Sequence, residues 1–291
     1  MDQWVIFILI ATVFTAFESL ISKKILSKEH AMEFTAVFGL FFLFVCSPLF
    51  FFIDYSTINF KMLSLVFLAT FFSVMGAIFM HKSMRHTDVG TVMSLWVLGP
   101  GFVALSAFIF LGEKLSYMQM SGIALLIIGA YVLESKNHQR IFDPFKMLFK
   151  KKYLRYVLIS LAIFAFSATI DRHVLSSLNM QVEAFIAFSA LFYAFFGFTA
   201  LNLFHNGLKG MKNGISNVGW WVLIVALFSL LTSYYQAEAM VLAPVGLVLT
   251  VKRLATLIVI VIGGEMFHEK DILKKCISAV IMIAGVLLIV S

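Results

Sequence analysis

The chain has 291 residues, of which 62% are hydrophobic and 13% are charged, and its formal net charge is +7. A soluble domain of this size could not keep so much apolar surface out of water, so the composition excludes a soluble globular protein. The positive charge sits in short loops between apolar windows, where cations face lipid headgroups. It therefore does not indicate nucleic acid as a partner.

Long apolar windows recur along the whole chain and predict transmembrane helices. Ten spans are predicted, at 4–22, 34–53, 61–80, 89–111, 117–133, 155–175, 183–204, 219–240, 245–262 and 273–291. The first window follows the acidic start MDQW and contains no small-residue cleavage site, so we expect a retained span rather than a signal peptide.

The two halves of the chain resemble each other. FLGEKLSYMQMSGIALLIIGAYVL (110–133) parallels IGGEMFHEKDILKKCISAVIMIAGVLL (262–288), and ISKKILSKEHAME (21–33) parallels IDRHVLSSLNMQVE (170–183). Because each half has an odd number of spans, the second copy is inverted relative to the first. Inverted repeats place a binding site at their interface, near the middle of the membrane.

We therefore predict an all-α polytopic membrane protein with ten transmembrane helices as two inverted five-helix repeats. The predicted repeats are 1–133 and 154–291, and the basic loop 134–153 connects them as the longest connection in the chain. A central cavity is expected between spans one, three, four, six, eight and nine, with spans five and ten packed outside it, because the latter two have almost no deep polar residues.

The Gly-Glu pairs that close the fourth and ninth spans, each followed by a glycine-bearing helix, carry a family resemblance. LGPGFVALSAFIFLGEKLSYMQMSGIALLIIGAYVL (98–133) and its C-terminal counterpart resemble the drug/metabolite transporter superfamily, EamA branch. The resemblance covers essentially the whole chain and implies transport of a small metabolite. The composition further favours a plasma (inner) membrane.

The stretch APVGLVLTVKRLATLIVIVI (243–262) is apolar except for Lys252 and Arg253 near its centre. Each charge at mid-bilayer costs about 2.5–3.5 kcal/mol, so we expect a compensating group, and an anionic substrate is the leading choice. The alternative is a buried pair that the protein's own carboxylates neutralise. TVKRL also resembles the Lys-Arg pair of plastid phosphate translocators, which binds substrate phosphate; their further lysine on the fourth helix is replaced here by Trp96.

Other polar residues within the spans complete the predicted site. Glu18 is expected to be the counter-charge of the cations or a proton-coupling carboxylate, and Tyr235 and Gln236 lie deep enough in the eighth span to line a cavity. The predicted substrate-binding set is Lys252, Arg253, Glu18, Tyr235, Gln236 and Trp96. His81 and Asp171, near the ends of the third and sixth spans, are expected to be interfacial.

The sequence contains no nucleophile–base constellation, no HExxH motif and no glycine-rich phosphate loop. We therefore predict no enzymatic activity, no cofactor and no metal site. Lys and Arg number 17 in the odd-numbered loops and three in the even-numbered loops, which predicts cytoplasmic odd loops and external termini. The superfamily resemblance implies the opposite, with both termini inside.

The leading hypothesis is a secondary transporter that moves a small anionic or zwitterionic metabolite by alternating access. Proton coupling and exchange for a counter-substrate both stay open, and membrane lipid is the surrounding partner. Two alternatives remain. One is a flippase for a phospholipid or a polyprenyl phosphate that uses the same central cations. The other is a non-transporting membrane scaffold in which those cations are fully paired.

Overall fold

The computed structural model describes residues 2–86, 116–134 and 152–266, with isolated positions between 96 and 112 and between 277 and 288. All regular structure within these residues is helical. The helices are α1 (Gln3–Leu26), α2 (Ala31–Cys46), α3 (Phe60–His86), α4 (Tyr117–Glu134), α5 (Lys152–Arg172), α6 (Val182–Phe204), α7 (Gly207–Leu242), α8 (Val245–Lys252) and α9 (Leu254–Met266).

Six of the described segments are long and apolar enough to cross a membrane. They are α1, α2 with a 3₁₀ extension to Phe52, α3, α5 with a π-helical turn to Ser177, α6 and α7. These correspond to predicted spans one, two, three, six, seven and eight, while α4 corresponds to the fifth and α8 with α9 to the ninth. Most of the predicted connection at 134–153, and most of the fourth and tenth spans, lie outside the described residues.

The eighth predicted span begins too late. The helix α7 starts at Gly207 rather than at 219 and has 36 residues, or about 54 Å at 1.5 Å per residue. That length exceeds the hydrocarbon core of a bilayer, about 30 Å. Its first turns are polar but fit closely onto α2, because a Cβ added at Gly210 would lie 2.9 Å from Glu33 Oε1 and one at Gly214 2.9 Å from Val37 Cγ2.

The ninth predicted span is apolar along its length, but its backbone forms two helices rather than one. The amide of Arg253 donates to the carbonyl of Thr250 at 3.0 Å, three residues back, and Thr256 N donates to the carbonyl of Arg253 at 2.9 Å. This local tightening ends α8 at Lys252 and starts α9 at Leu254. The two central cations therefore lie at a joint between two helices, where the regular backbone pattern is interrupted.

Helices from the two halves of the chain pack in pairs. The main pairs are α1 on α7, α3 on α5, and α2 on α6. The α2–α6 pair is close: a Cβ at Gly39 would lie 3.1 Å from Ala194 Cα, and a Cβ at Gly197 would lie 3.3 Å from Ala36 Cα. We call this contact the α2–α6 seam.

Both ends of the α2–α6 seam are joined by polar groups. At one end the ring of His30, before α2, stacks on the ring of His205, after α6, with centroids 3.9 Å apart. At the other end Gln181, before α6, donates its side-chain amide to the carbonyl of Phe52 at 3.0 Å and accepts from Asp54 N at 3.1 Å. The seam is thus held along its length and at both ends.

The end of the molecule that contains His30 is also the basic end. Lys23 Nζ donates to the carbonyl of Met84 at 3.0 Å, and the ring of His86 stacks on Tyr153, so α1, α3 and α5 meet there. Most of the described loop cations lie at this end. At the opposite end, where α3 begins and α5 ends, the described loop cations are Lys61 and Arg172. The excess of Lys and Arg in the odd-numbered loops therefore places most of the described loop cations at one end of the molecule.

Outside these pairs, α4 packs against the described part of the tenth span. A Cβ added at Gly285 would lie 2.8 Å from the carbonyl oxygen of Gly122, and one at Gly129 would lie 2.7 Å from Met282 Cγ. Small residues therefore bring the two backbones together, as expected for helices that associate within lipid.

Candidate functional site

Two adjoining cavities lie between the helix pairs, with volumes of about 330 and 390 Å³. Their shared lining includes Glu18, His81, Asp171, Gln236 and Lys252. Together they fall within the range of small-molecule sites in proteins, roughly 300–1,000 Å³. We call the two together the central cavity. It contains polar and charged groups from both halves of the chain.

Aromatic rings line part of the central cavity, mainly the smaller of its two parts. Phe34, Phe38 and Phe42 from α2, with Tyr193 from α6, line the smaller cavity, and Phe164 lines both. The sequence did not predict that α2 and α6 would contribute to the lining. As expected, none of the lining residues that the structure describes comes from α4 or from 277–288.

Lys252 is compensated by the protein itself. Its Nζ donates to the side-chain oxygen of Gln236, and the carboxylate of Glu18 acts on it electrostatically. Lys252 also closes α8, where the helix dipole favours a positive charge. The amide, the carboxylate and the helix end come from α7, α1 and α8, so three helices converge on one ammonium group.

Arg253 has different surroundings, although it is the next residue. Its guanidinium carbon lies 4.9 Å from the centroid of the Trp96 ring, within the range of a cation–π contact. Its Nε is buried and has no hydrogen-bond partner among the described residues, and no carboxylate of that part of the chain forms an ion pair with it. A Cβ at Gly99 would collide with its terminal nitrogen, so the glycine makes room for the side chain.

Five residues of the predicted set therefore line the central cavity: Lys252, Arg253, Glu18, Gln236 and Trp96. Tyr235 does not belong to the lining of either cavity. Its ring packs on Phe7 at 6.0 Å and on Tyr234 at 5.7 Å, within an apolar cluster. Neighbouring residues of a helix point about 100° apart, which takes Tyr235 away from the cavity that Gln236 reaches.

Two lining residues had been expected at the membrane surface instead. His81 is held by a contact of 2.7 Å between its Nδ1 and Thr35 Oγ1, and its ring meets Phe34 edge-on at 5.0 Å. Asp171 faces both cavities without a hydrogen bond or an ion pair to any residue that the structure describes. Because α3 continues to His86, His81 lies within that helix rather than beyond its end, and Asp171 lies within α5, just before the π-helical turn.

Several hydroxyl groups around the cavity join helices, whereas that of Ser229 is buried without a hydrogen-bond partner among the described residues. Ser73 and Ser167 share a hydrogen bond of 2.8 Å between α3 and α5, and Ser167 also donates to the carbonyl of Ala69. Thr15 and Thr232 approach within 3.5 Å between α1 and α7. The joined hydroxyl groups have partners within the protein, unlike Arg253 and Asp171.

Comparison with known proteins agrees with the resemblance read from the sequence. Residues 2–135 match the model of the EamA-like transporter family, which confirms that resemblance for the first half of the chain. No curated protein matches the chain. Among solved structures, one titled "Crystal structure of protein" superposes with a TM-score of 0.73 at 12% identity, over 98% of this chain and 96% of its own. At that identity the superposition shows a shared fold alone. The family match and the apolar helices support a membrane transporter.

Proposed function

We propose that the protein is a secondary transporter that moves a small anionic or zwitterionic metabolite by alternating access, with Arg253 as the residue that binds the anionic group. One observation carries this proposal. The guanidinium of Arg253 is held in the central cavity by the face of Trp96, and no protein carboxylate in the described residues pairs with it. Its planar fork of donors suits a carboxylate or a phosphate.

The helix pairing supports the alternating-access part of the proposal. Exchanging the two halves converts the α1–α7 pair into the α5–α3 pair, and converts the α2–α6 pair into itself. Such an exchange is expected of two inverted five-helix repeats at 1–133 and 154–291. In this mechanism the halves rock about the central cavity, and the α2–α6 seam provides the fixed contact about which they move.

Lys252 and Glu18 have a supporting role in this mechanism. Because Gln236 and Glu18 already offset the charge of Lys252, that residue does not need the substrate to neutralise it. Glu18 is the candidate for proton coupling, since it is a carboxylate within reach of the cavity. We further propose that the basic end faces the cytoplasm of a plasma membrane, following the positive-inside rule.

A two-stage experiment tests the proposal. A thermal-shift screen of the purified protein against carboxylates, phosphates and amines selects a solute, and uptake of that solute into proteoliposomes is then measured. Arg253→Ala should lower uptake by about 30-fold or more, because a charge-paired contact is removed. Arg253→Lys should restore only part of it, since a lysine cannot form the bidentate contact.

Arg155→Ala is the matched control, because Arg155 is exposed at the basic end and should leave uptake unchanged. Wild-type uptake by Arg253→Ala, in protein that elutes as a single folded species, would refute the proposal. Movement of a fluorescent phospholipid between the leaflets, without solute uptake, would identify a flippase instead.

A further inference from the structure

We propose that Asp171 is the subsite for an ammonium group, so that the transported molecule is a zwitterion whose anionic end binds Arg253. This inference rests on the proposed role of Arg253 and names the substrate class of the same cavity. It concerns a residue at the end of α5 that the sequence placed at the membrane surface.

Asp171 has no polar partner among the described residues. Its side chain lines both parts of the central cavity and is half-buried, and it has neither a hydrogen bond nor an ion pair with the described residues. The nearest wall hydroxyl on the same helix, that of Ser167, is already bonded to Ser73 and to the carbonyl of Ala69. A carboxylate at this depth without a partner is costly, and it marks a functional position.

The charged side chains of the cavity do not all have partners of opposite charge. The acidic and basic side chains of the described lining, apart from His81, are Glu18, Asp171, Lys252 and Arg253. Lys252 is matched by Glu18 and Gln236, which leaves one cation and one anion without partners among the described residues. A simple anion would match Arg253 alone, and a simple cation would match Asp171 alone. A zwitterion matches both and leaves no charge unpaired in a medium where unpaired charge is expensive.

Asp171 and Glu18 occupy different positions in the two repeats. In the alignment of the two halves Asp171 stands opposite Ser22, and the same offset places Glu18 opposite Ser167. Each half thus has one carboxylate and one hydroxyl four residues apart, in reversed order, and all four residues line the cavity. Asp171 is therefore not the repeat copy of the carboxylate that serves Lys252. It adds a second acidic position on the opposite helix.

The smaller cavity offers an apolar surface for the part of the substrate between its two charged groups. Aromatic rings from α2 and α5 fill the wall of the smaller cavity, which Asp171 also lines. An apolar side chain of modest size fits between two charged ends in such a pocket, because its burial against aromatic rings is favourable. The class that results is a small amino acid, or a molecule of the same charge pattern, with an apolar side chain.

Two matched sets of probes test this inference by isothermal titration calorimetry on the full chain in detergent. The first set is L-leucine, 4-methylpentanoate and 3-methylbutylamine, and the second is L-phenylalanine, 3-phenylpropanoate and 2-phenylethylamine. Each set keeps the side chain and removes one charged group at a time. We expect the amino acid of at least one set to bind about tenfold or more tightly than both of its partners, as a charged hydrogen bond allows.

Asp171→Asn should remove the advantage of the amino acid over the carboxylate and leave the affinity for the carboxylate within about twofold of wild type. Asp171→Ser, which installs the residue of the other repeat, should do the same and serves if the amide variant does not fold. Glu238→Gln is the control, because Glu238 lies on α7 outside the lining of the two cavities.

The outcomes separate this inference from the proposed function. If the carboxylates bind in an Arg253-dependent way and the amino group adds nothing, the ammonium subsite is refuted and the transporter proposal stands. If no member of either set binds and Arg253→Ala has no effect on transport, both fail. If sodium in place of choline strengthens binding of 4-methylpentanoate, and Asp171→Asn removes that effect, Asp171 binds an inorganic cation and the ammonium assignment is wrong.

Discussion

The central cavity and the α2–α6 seam are neighbours built in opposite ways. In the seam, glycines bring two backbones into contact, and the polar groups at both ends are joined, His30 to His205 and Gln181 to Phe52. In the cavity, two charged side chains, Arg253 and Asp171, have no polar partner among the described residues. The polar groups of the seam are satisfied internally, whereas these two charged side chains of the cavity are not.

This difference assigns the two regions different tasks. A satisfied, closely packed contact resists change, so substitutions in the seam are expected to lower stability and leave intrinsic affinity alone. Groups without protein partners contribute little to stability, so substitutions of them are expected to change binding alone.

The largest loss of stability is expected on substitution of Lys252, the cation of the cavity that has partners within the protein. Lys252→Met leaves the side-chain oxygen of Gln236 without its donor and Glu18 without the charge that acts on it. Removing one partner from such a set costs up to about 3–5 kcal/mol of the free energy of unfolding. Adding Glu18→Gln should recover most of that loss, because the unpaired charge is removed. Thermal unfolding in detergent measures both variants.

Arg253→Met is the matched comparison for that prediction. It removes a cation from the adjacent position, where the Nε has no partner to lose, so its unfolding temperature should stay near that of the wild type. Equal losses of stability for Lys252→Met and Arg253→Met would contradict the division between the two cations.

The sequence predicted which residues line the cavity better than it predicted the surroundings of each one. Lys252, Arg253, Glu18 and Gln236 could be predicted because a charged or amide side chain interrupts an apolar window, and that interruption is visible in one dimension. The different surroundings of the adjacent cations could not, since Gln236 and Trp96 reach them from separate helices. The break at Arg253 was also hidden, because hydropathy is insensitive to a shift from i−4 to i−3 hydrogen bonding.

Helix ends were the other weak point. Asp171 and His81 were assigned to the surface because the predicted spans followed apolar composition alone. The helices continue past that limit, α3 to His86 and α7 back to Gly207, where buried packing rather than hydropathy sustains them. Single polar residues near a predicted boundary therefore need the packing of neighbouring helices before their depth is known.

A smaller loss of stability is expected in the seam. Gly39→Ala would bring its Cβ to 3.1 Å from Ala194 Cα, on a backbone that cannot move without separating the helices. Overpacking of this kind costs about 1–3 kcal/mol. Gly219→Ala is the control, because its nearest neighbours would be at 3.6 Å and alanine favours a helix by up to about 1 kcal/mol.

Thermal unfolding should rank these variants with Gly219→Ala at or above the wild type and Gly39→Ala below it. Binding of the matched probes should be unchanged in both. A Gly39→Ala protein that keeps its stability but loses affinity would show that the seam takes part in the binding site.

A smaller effect still, on binding rather than on stability, is expected for the cation–π contact. Trp96→Leu removes the aromatic face that holds the guanidinium of Arg253, and such contacts contribute about 0.5–2 kcal/mol. Affinity for a carboxylate that the wild type binds should fall by about 2- to 30-fold. Trp220→Leu, at an exposed tryptophan of α7, should leave it unchanged. If both variants bind like the wild type, Trp96 does not position the cation.

The smallest effect concerns acid, and it arises at the basic end of the seam. Burial, with smaller contributions from the neighbouring charges of His205, Arg85, Lys82 and His86, lowers the pKa of His30 to about 4. Because the pKa in the folded protein lies below the unfolded value of about 6.5, the folded state holds fewer protons between these limits. Its stability is therefore complete above pH 6.5 and declines as the pH falls toward 4.

His30→Asn should flatten that decline while keeping an acceptor for the amide of Met32, the hydrogen bond by which His30 caps α2. The hydroxyl and the amide of Ser56 lower the pKa of Asp54, so this loop carboxylate at the other end of the seam stays charged above pH 4 and does not contribute. Unfolding temperatures at pH 7.5, 6 and 5 measure the slope for both proteins. If the two slopes are parallel, His30 does not titrate with unfolding, and the stacked pair is not what makes this end of the seam sensitive to acid.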